Sequence, residues 1–388
     1  MIPRITIYLF LLAALLRGQP ATAQQDSTAL FTAGTDGYKS YRIPALITSA
    51  KGSLLAFCDG RRNGAGDDGD IDLLLKRSTD GGRTWTAQQV VWDDGPHTCG
   101  NPCPVVDAAT GTIWLLLTRN EGSDKEYEII RKTARGTRTV WVSKSTDDGV
   151  TWSAPENITA AVKDTSWGWY ATGPGAGIQV AHGIHKGRLV IPCDHSYNDA
   201  AGQIANGPYE YGAHIIYSDD HGATWQRGGS IGPKVNECQL TELADGNGGL
   251  LISLRSNFGR GLRTQAISHD GGGSWTAPQD APSLEDPVCQ ASITRSSWPG
   301  QKRRGLLLFL NPAGSKRANM TLKASKDDGQ TWETVQTLHA GPAAYSSLAV
   351  LKNGSIACLY EAGNKNSYEK IIFQKINRKK ITGILKNK

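Results

Sequence analysis

One eight-residue pattern recurs five times along the chain, and it limits the fold more than any other feature. Ser78–Trp85 (STDGGRTW), Ser145–Trp152 (STDDGVTW), Ser218–Trp225 (SDDHGATW), Ser268–Trp275 (SHDGGGSW) and Ser325–Trp332 (SKDDGQTW) share the form S-x-D-x-G-x-[ST]-W. The chemistry is that of a rigid turn. Asp accepts from backbone N–H groups two residues on, Gly supplies a positive φ, and the hydroxyls cap neighbouring backbone groups. The Trp then plugs the turn into apolar surface. A strand-like run precedes each copy, at 71–75, 139–142, 214–217, 264–267 and 321–324. Further short apolar runs follow at 53–58, 112–118, 188–192, 249–254, 305–310 and 355–360. One identical turn per repeat reads as structure, so these aspartates are assigned neither to calcium nor to catalysis.

The copies start 67, 73, 50 and 57 residues apart, a loose period that marks arrays of small sheets. The chain is therefore expected to be all-β, a six-bladed β-propeller of four-stranded antiparallel blades. The sixth blade would lack the turn and be built by joining the two chain ends, which hides the open edges. Glycine supports this reading: 45 of 388 residues, about 12% against a usual ~7%, is incompatible with a helical bundle. Eleven Trp and twelve Tyr exclude a disordered chain.

Arg4, the apolar run 7–16 and Ala21-Thr22-Ala23 form a signal peptide over residues 1–23. Ten apolar residues cannot cross a ~30 Å hydrocarbon core, so no membrane span is expected and the mature chain is secreted or periplasmic. The formal charge of +6 does not mark a basic body. Residues 365–388 carry eight Lys/Arg against Glu369 alone, and 378–388 is expected to be a solvated basic tail rather than a nucleic-acid site. Seven cysteines, an odd number, leave at least one unpaired. Cys99 and Cys103 are spaced like metal ligands, but no second Cys/His pair follows, so buried or disulfide-bonded cysteines are expected and no metal.

Tyr41-Arg42-Ile43-Pro44 followed by the repeated Asp turns resembles the exo-α-sialidase (neuraminidase) family of six-bladed propellers, from about Thr35 to Glu361. The resemblance makes residues 24–377 the catalytic domain of a retaining exo-α-sialidase. It implies sialylated glycans as substrate, no cofactor, a covalent sialyl-tyrosine intermediate, and a monomer. Such a substrate carries a carboxylate on its anomeric carbon, which calls for fixed guanidinium forks. The resemblance assigns these to Arg42, Arg255 and Arg317. That carboxylate also repels a carboxylate nucleophile, and sialidases use a tyrosine instead. Here it would be Tyr345, with Glu237 as its base.

The acid/base would be Asp67, in the glycine-rich loop 59–70, by its spacing from Arg61; Asp68 is the rival by its spacing from Arg62. Burial in a closing site is expected to raise the acid's pKa. Arg61 would be a further substrate contact, and Glu361 would hold Arg42. Asn101, Trp169 and Tyr170 are expected near the glycerol or N-acetyl pocket. Two alternatives stay open: a non-catalytic sialic-acid or carbohydrate-binding propeller, and a trans-sialidase.

Overall fold

A computed structural model describes residues 27–198, 209–300 and 305–385; the signal segment 1–23 lies outside the described residues. The described residues are all-β, with three short helices among them at Glu126–Ile130, Thr159–Val162 and Arg378–Ile384. No helix among the described residues is long and apolar enough to cross a membrane.

The strands are grouped in four sheets. The first runs Ser40–Thr48, Leu54–Arg61, Ile71–Ser78 and Gln89–Trp92, then Thr98–Val106, Ile113–Asn120, Thr139–Ser145 and Glu156–Asn157. Its halves are joined by a single parallel pair, Ile71 with Thr98. The second sheet is built on Leu189–Asn198, with Tyr170–Thr172 and Ile178–Gln179 on one side and Tyr209–Ser218 and Gln226–Ile231 on the other. The third is Val235–Glu242, Leu250–Ser256, Leu262–Ser268 and Gln279–Glu285. In the fourth, the long strand Glu333–Val350 pairs through its first half with Ala318–Ser325 and through its second with Ile356–Ala362. Ser27–Thr32 closes that sheet by antiparallel pairing with Lys370–Ile376, so the two ends of the described chain meet, as expected.

The five motifs are turns, each following a strand, and their residues bond one another. In the third copy, Ser218 Oγ donates to Asp220 Oδ1 (2.8 Å) and accepts from Gly222 N (2.8 Å), while Thr224 donates to both Asp220 oxygens. Two successive residues have positive φ, not one: Gly81/Gly82, Asp148/Gly149, His221/Gly222, Gly271/Gly272 and Asp328/Gly329. The first of each pair is Gly, Asp or His, which enter the left-handed region most readily. The second must be Gly. A Cβ on Gly222 would lie 2.1 Å from the Trp114 ring. Four of the motif tryptophans pack on aromatics, among them Trp85 on Phe373 (5.0 Å) and Trp152 on Phe57 (5.6 Å).

All seven cysteines are buried free thiols. The C-terminal segment is not a solvated tail throughout: Arg378–Ile384 is helical, Asn377 caps it through Lys379 N (2.8 Å), and Ile381 is buried among Leu306, Ile356 and Ile376. The tail's apolar residues, overlooked beside its charge, dock it.

Candidate active site

Four strands carry a break in register beside a candidate site residue. The breaks lie between Arg42 and Ala45, Gly100 and Cys103, Val235 and Cys238, and Ala343 and Ser346. An extra residue re-aims a side chain that the regular pleat would bury. Ile43 and Asn101 have positive φ at these breaks (59° and 56°). The breaks open on one cavity of about 690 Å³, lined chiefly by polar and charged groups. Ten of the eleven candidate site residues line it or lie directly behind its wall; Tyr170 does not.

Tyr345 is 5% exposed and its hydroxyl donates to Glu237 Oε1. Arg255 Nη1 donates to the other carboxylate oxygen of Glu237 at 2.6 Å and to the Tyr345 hydroxyl at 3.3 Å. Burial first, then the charge of Glu237, push the Tyr345 phenol well up, against the pull of Arg255 and Arg42. In the free protein the phenol therefore keeps its proton, and Glu237 is the group placed to take it.

Three guanidiniums surround that tyrosine. Arg42 lies over the rings of Tyr345 (5.0 Å) and Tyr368 (4.2 Å), and Arg317 is 5.8 Å from Tyr345. Arg317 donates to the Tyr368 hydroxyl and the Val288 carbonyl, both at 3.1 Å. Arg42 Nη2 and Arg255 Nε are buried without a protein partner among the described residues. Close, desolvated cations with spare donors are a site for an anion, because unpaired buried charge is costly. Glu361, fully buried, accepts from Arg42 Nε (3.3 Å) and Ile43 N (2.9 Å) on one oxygen and from Tyr345 N (3.1 Å) on the other. It thus holds both Arg42 and the backbone of Tyr345.

Asp67 lines the cavity and pairs with Arg61 (2.7 Å) and Arg42 (3.6 Å). Asp68 points to Lys125 (3.7 Å) and is not part of the cavity wall. Arg61 ties the loop down through the carbonyls of Ala65 and Gly66 (2.8 Å each) and through Asp59 (3.0 Å). Burial pushes Asp67 up, but Arg61 and then Arg42 outweigh it and hold the carboxyl below its usual range. The expectation of a raised pKa is reversed here because the loop is closed by cations.

Asn101 and Trp169 line the cavity, but Tyr170 is fully buried between Trp167 and His214, with ring centroids at 6.2 and 4.9 Å. Successive side chains of extended backbone face opposite ways, so with Trp169 in the cavity Tyr170 falls in the core. The sequence reading missed Glu126, Arg138, Asp194, Tyr211 and Tyr368, all in the wall. Arg138 and Asp194 carried a signal, being charged residues beside short apolar runs, Arg138 just before 140–142 and Asp194 just after 189–193. Glu126 and Tyr211 carried none.

A family model described as a BNR repeat-like domain matches residues 52–358. The chain is 36% identical over 363 residues to a sialidase of Micromonospora viridifaciens, a match covering 90% of this chain and 54% of that protein. It is 33% identical over 368 residues to a sialidase of Bacteroides fragilis, covering 90% and 64%. The chain thus spans between about half and two thirds of the length of these relatives. Among solved structures, a Hadza microbial sialidase, Hz136, matches with a TM-score of 0.78 at 31% identity, over 91% of this chain and 68% of that one.

Proposed function

The chain belongs to the sialidase family, and from that membership we propose that it is a retaining exo-α-sialidase that releases terminal α-linked sialic acids from glycans. The observation that carries this is the Tyr345–Glu237 hydrogen bond with Arg42, Arg255 and Arg317 around it. The substrate carboxylate takes the spare donors of the three arginines. In doing so it competes with Asp67 for Arg42, which weakens one of the charges that depress Asp67 and lets that carboxyl carry a proton. Asp67 gives this proton to the glycosidic oxygen as the C2–O bond breaks. Tyr345 oxygen bonds to C2 while its proton passes to Glu237. Water, deprotonated by Asp67, then attacks C2, and the tyrosine leaves with the proton returned from Glu237.

The six-bladed propeller belongs to the same reading. It is supported by four-stranded antiparallel runs in the pairing and by the closure of Ser27–Thr32 on Lys370–Ile376. Residues 24–377 would be the catalytic domain, exported after loss of residues 1–23.

Incubation with a fluorogenic α-sialoside tests the activity. The native protein should release the fluorophore, and Tyr345→Phe should lower kcat by at least 100-fold. A sialosyl fluoride carrying a second fluorine at C3 loses the C2 fluoride in the first step and is slowed in the second by the fluorine it keeps, so it should leave an adduct on the Tyr345 peptide by mass spectrometry. No release by the native protein overturns the activity; full activity of Tyr345→Phe overturns the nucleophile.

A further inference from the structure

Arg317 ends a chain of hydrogen bonds that takes no part in the proton transfers. Its Nη2 donates to the Val288 carbonyl (3.1 Å). That carbonyl shares a trans peptide with Cys289 N–H, and the N–H donates to Asp286 Oδ1 (2.9 Å). In a trans peptide the two groups point opposite ways. Holding the N–H on Asp286 therefore aims the carbonyl at Arg317.

Asp286 is 2% exposed and is held in its turn. Its Oδ2 accepts from Arg263 Nη1 (3.3 Å), and the same nitrogen donates to the Cys289 carbonyl (2.6 Å). Arg263 is fully buried, and its remaining bonds go to Ser253 Oγ (3.3 Å) and the Ser253 carbonyl (3.2 Å), on the strand that carries Arg255. An apolar side chain would fill that space with less desolvation, but it could hold neither a carboxylate nor a carbonyl. Val288 shows how tightly the turn is fixed. Its φ is 58°, a left-handed conformation that a β-branched residue leaves unless its surroundings over-determine it.

We infer that Asp286 is a positioning residue for Arg317: through the 288–289 peptide it aims the carbonyl that fixes this guanidinium, and it thereby sets the affinity of the cavity for the substrate carboxylate. This rests on the sialoside reading above. A guanidinium fixed before the substrate arrives loses less freedom on binding than one that must first be ordered. Arg263 holds the carboxylate that does the fixing.

The test is a double-mutant cycle on a fluorogenic α-sialoside. Asp286→Asn can no longer serve Cys289 N–H and Arg263 together, because one side of the amide is a donor. KM should rise about tenfold, with kcat within about threefold of native. In an Arg317→Lys background, whose ammonium lacks the fork that meets both the Val288 carbonyl and the Tyr368 hydroxyl, the same change should raise KM less than about twofold. A general loosening of the fold would raise KM alike in both backgrounds. Should Asp286→Asn fail to fold, Arg263→Lys carries the same contrast, at about threefold with Arg317 intact. An unchanged KM in a folded variant, or equal rises in the two backgrounds, overturns the proposal and leaves the activity intact. No release by the native protein overturns the sialoside reading, and the proposal with it.

Discussion

Replacing Glu361 by Gln should damage stability and activity together. The carboxylate is fully buried and meets three donors: Arg42 Nε and Ile43 N on Oε1, Tyr345 N on Oε2. An amide can present only one oxygen. Its least harmful orientation keeps the oxygen toward Arg42 and Ile43 and turns NH2 against Tyr345 N, two donors facing one another. Leaving a buried donor unsatisfied costs about 1–3 kcal/mol, and removing the partner of a buried cation costs about 3–5 kcal/mol. Because the two overlap, about 4 kcal/mol of lost stability is expected.

The same change frees Arg42, which should meet the substrate carboxylate, and shifts the backbone of Tyr345, so kcat/KM should drop at least 100-fold. Urea unfolding at neutral pH and initial rates on a fluorogenic α-sialoside measure the two effects. Glu361→Asp, which keeps the charge but shortens its reach, should fall between native and Gln. A Gln variant within 1 kcal/mol of native stability and threefold of native activity would refute the claim that one carboxylate organises both groups.

Asp67→Asn should slow release of a sugar leaving group far more than release of an acidic phenol, which departs without protonation, whereas Asp68→Asn should be neutral; equal losses on both leaving groups would remove Asp67 as the acid. Burial holds His195 at about 3 and His214 well below its normal range, with their Nδ1 atoms 3.0 Å apart. Above pH 6.5 both are neutral folded or unfolded. As pH falls toward 3 only the unfolded chain takes up these protons, so stability is lost by about 1.4 kcal/mol per unit for each histidine. Between pH 7.5 and 5.5 the native protein should therefore lose about 2–3 kcal/mol more than a His195→Gln/His214→Gln variant; parallel losses in the two proteins would show the pair is not the cause. Asp270→Ala removes the bonds to Ser268 and Ser274 that close the fourth turn. It should lower Tm by a few degrees without changing kcat/KM, and a change in kcat/KM at constant Tm would contradict a structural role.

What was legible in the sequence was what is local. The five turns could be read because the residues that identify them are the ones that bond each other. The strands before them are found where the apolar runs lie, within a few residues at the ends. The register breaks at Arg42, Asn101, Glu237 and Tyr345 leave no such trace: the stretches around them are almost wholly buried, so the alternation that would reveal an inserted residue is missing. Those positions were reached through resemblance instead. Tyr170 was misplaced because its neighbour Trp169 already occupied the side facing the cavity. Glu126, which accepts from the Tyr211 hydroxyl 85 positions on, became part of the site only through the packing of elements far apart in sequence.

The pairing of Ser27–Thr32 with Lys370–Ile376 also bears on how the protein comes into being. Arg42 and Glu361 are 319 positions apart, yet they form one ion pair. A nascent chain stopped anywhere before residue 361 lacks both the carboxylate that orients the cavity and the strand that covers its first edge. Such a chain exposes an unpaired strand edge, a surface that invites aggregation. Synthesis of this protein therefore has no half-assembled site: the edge is hidden and the ion pair behind the cavity is completed by the same late event, the arrival of the last strands beside the first.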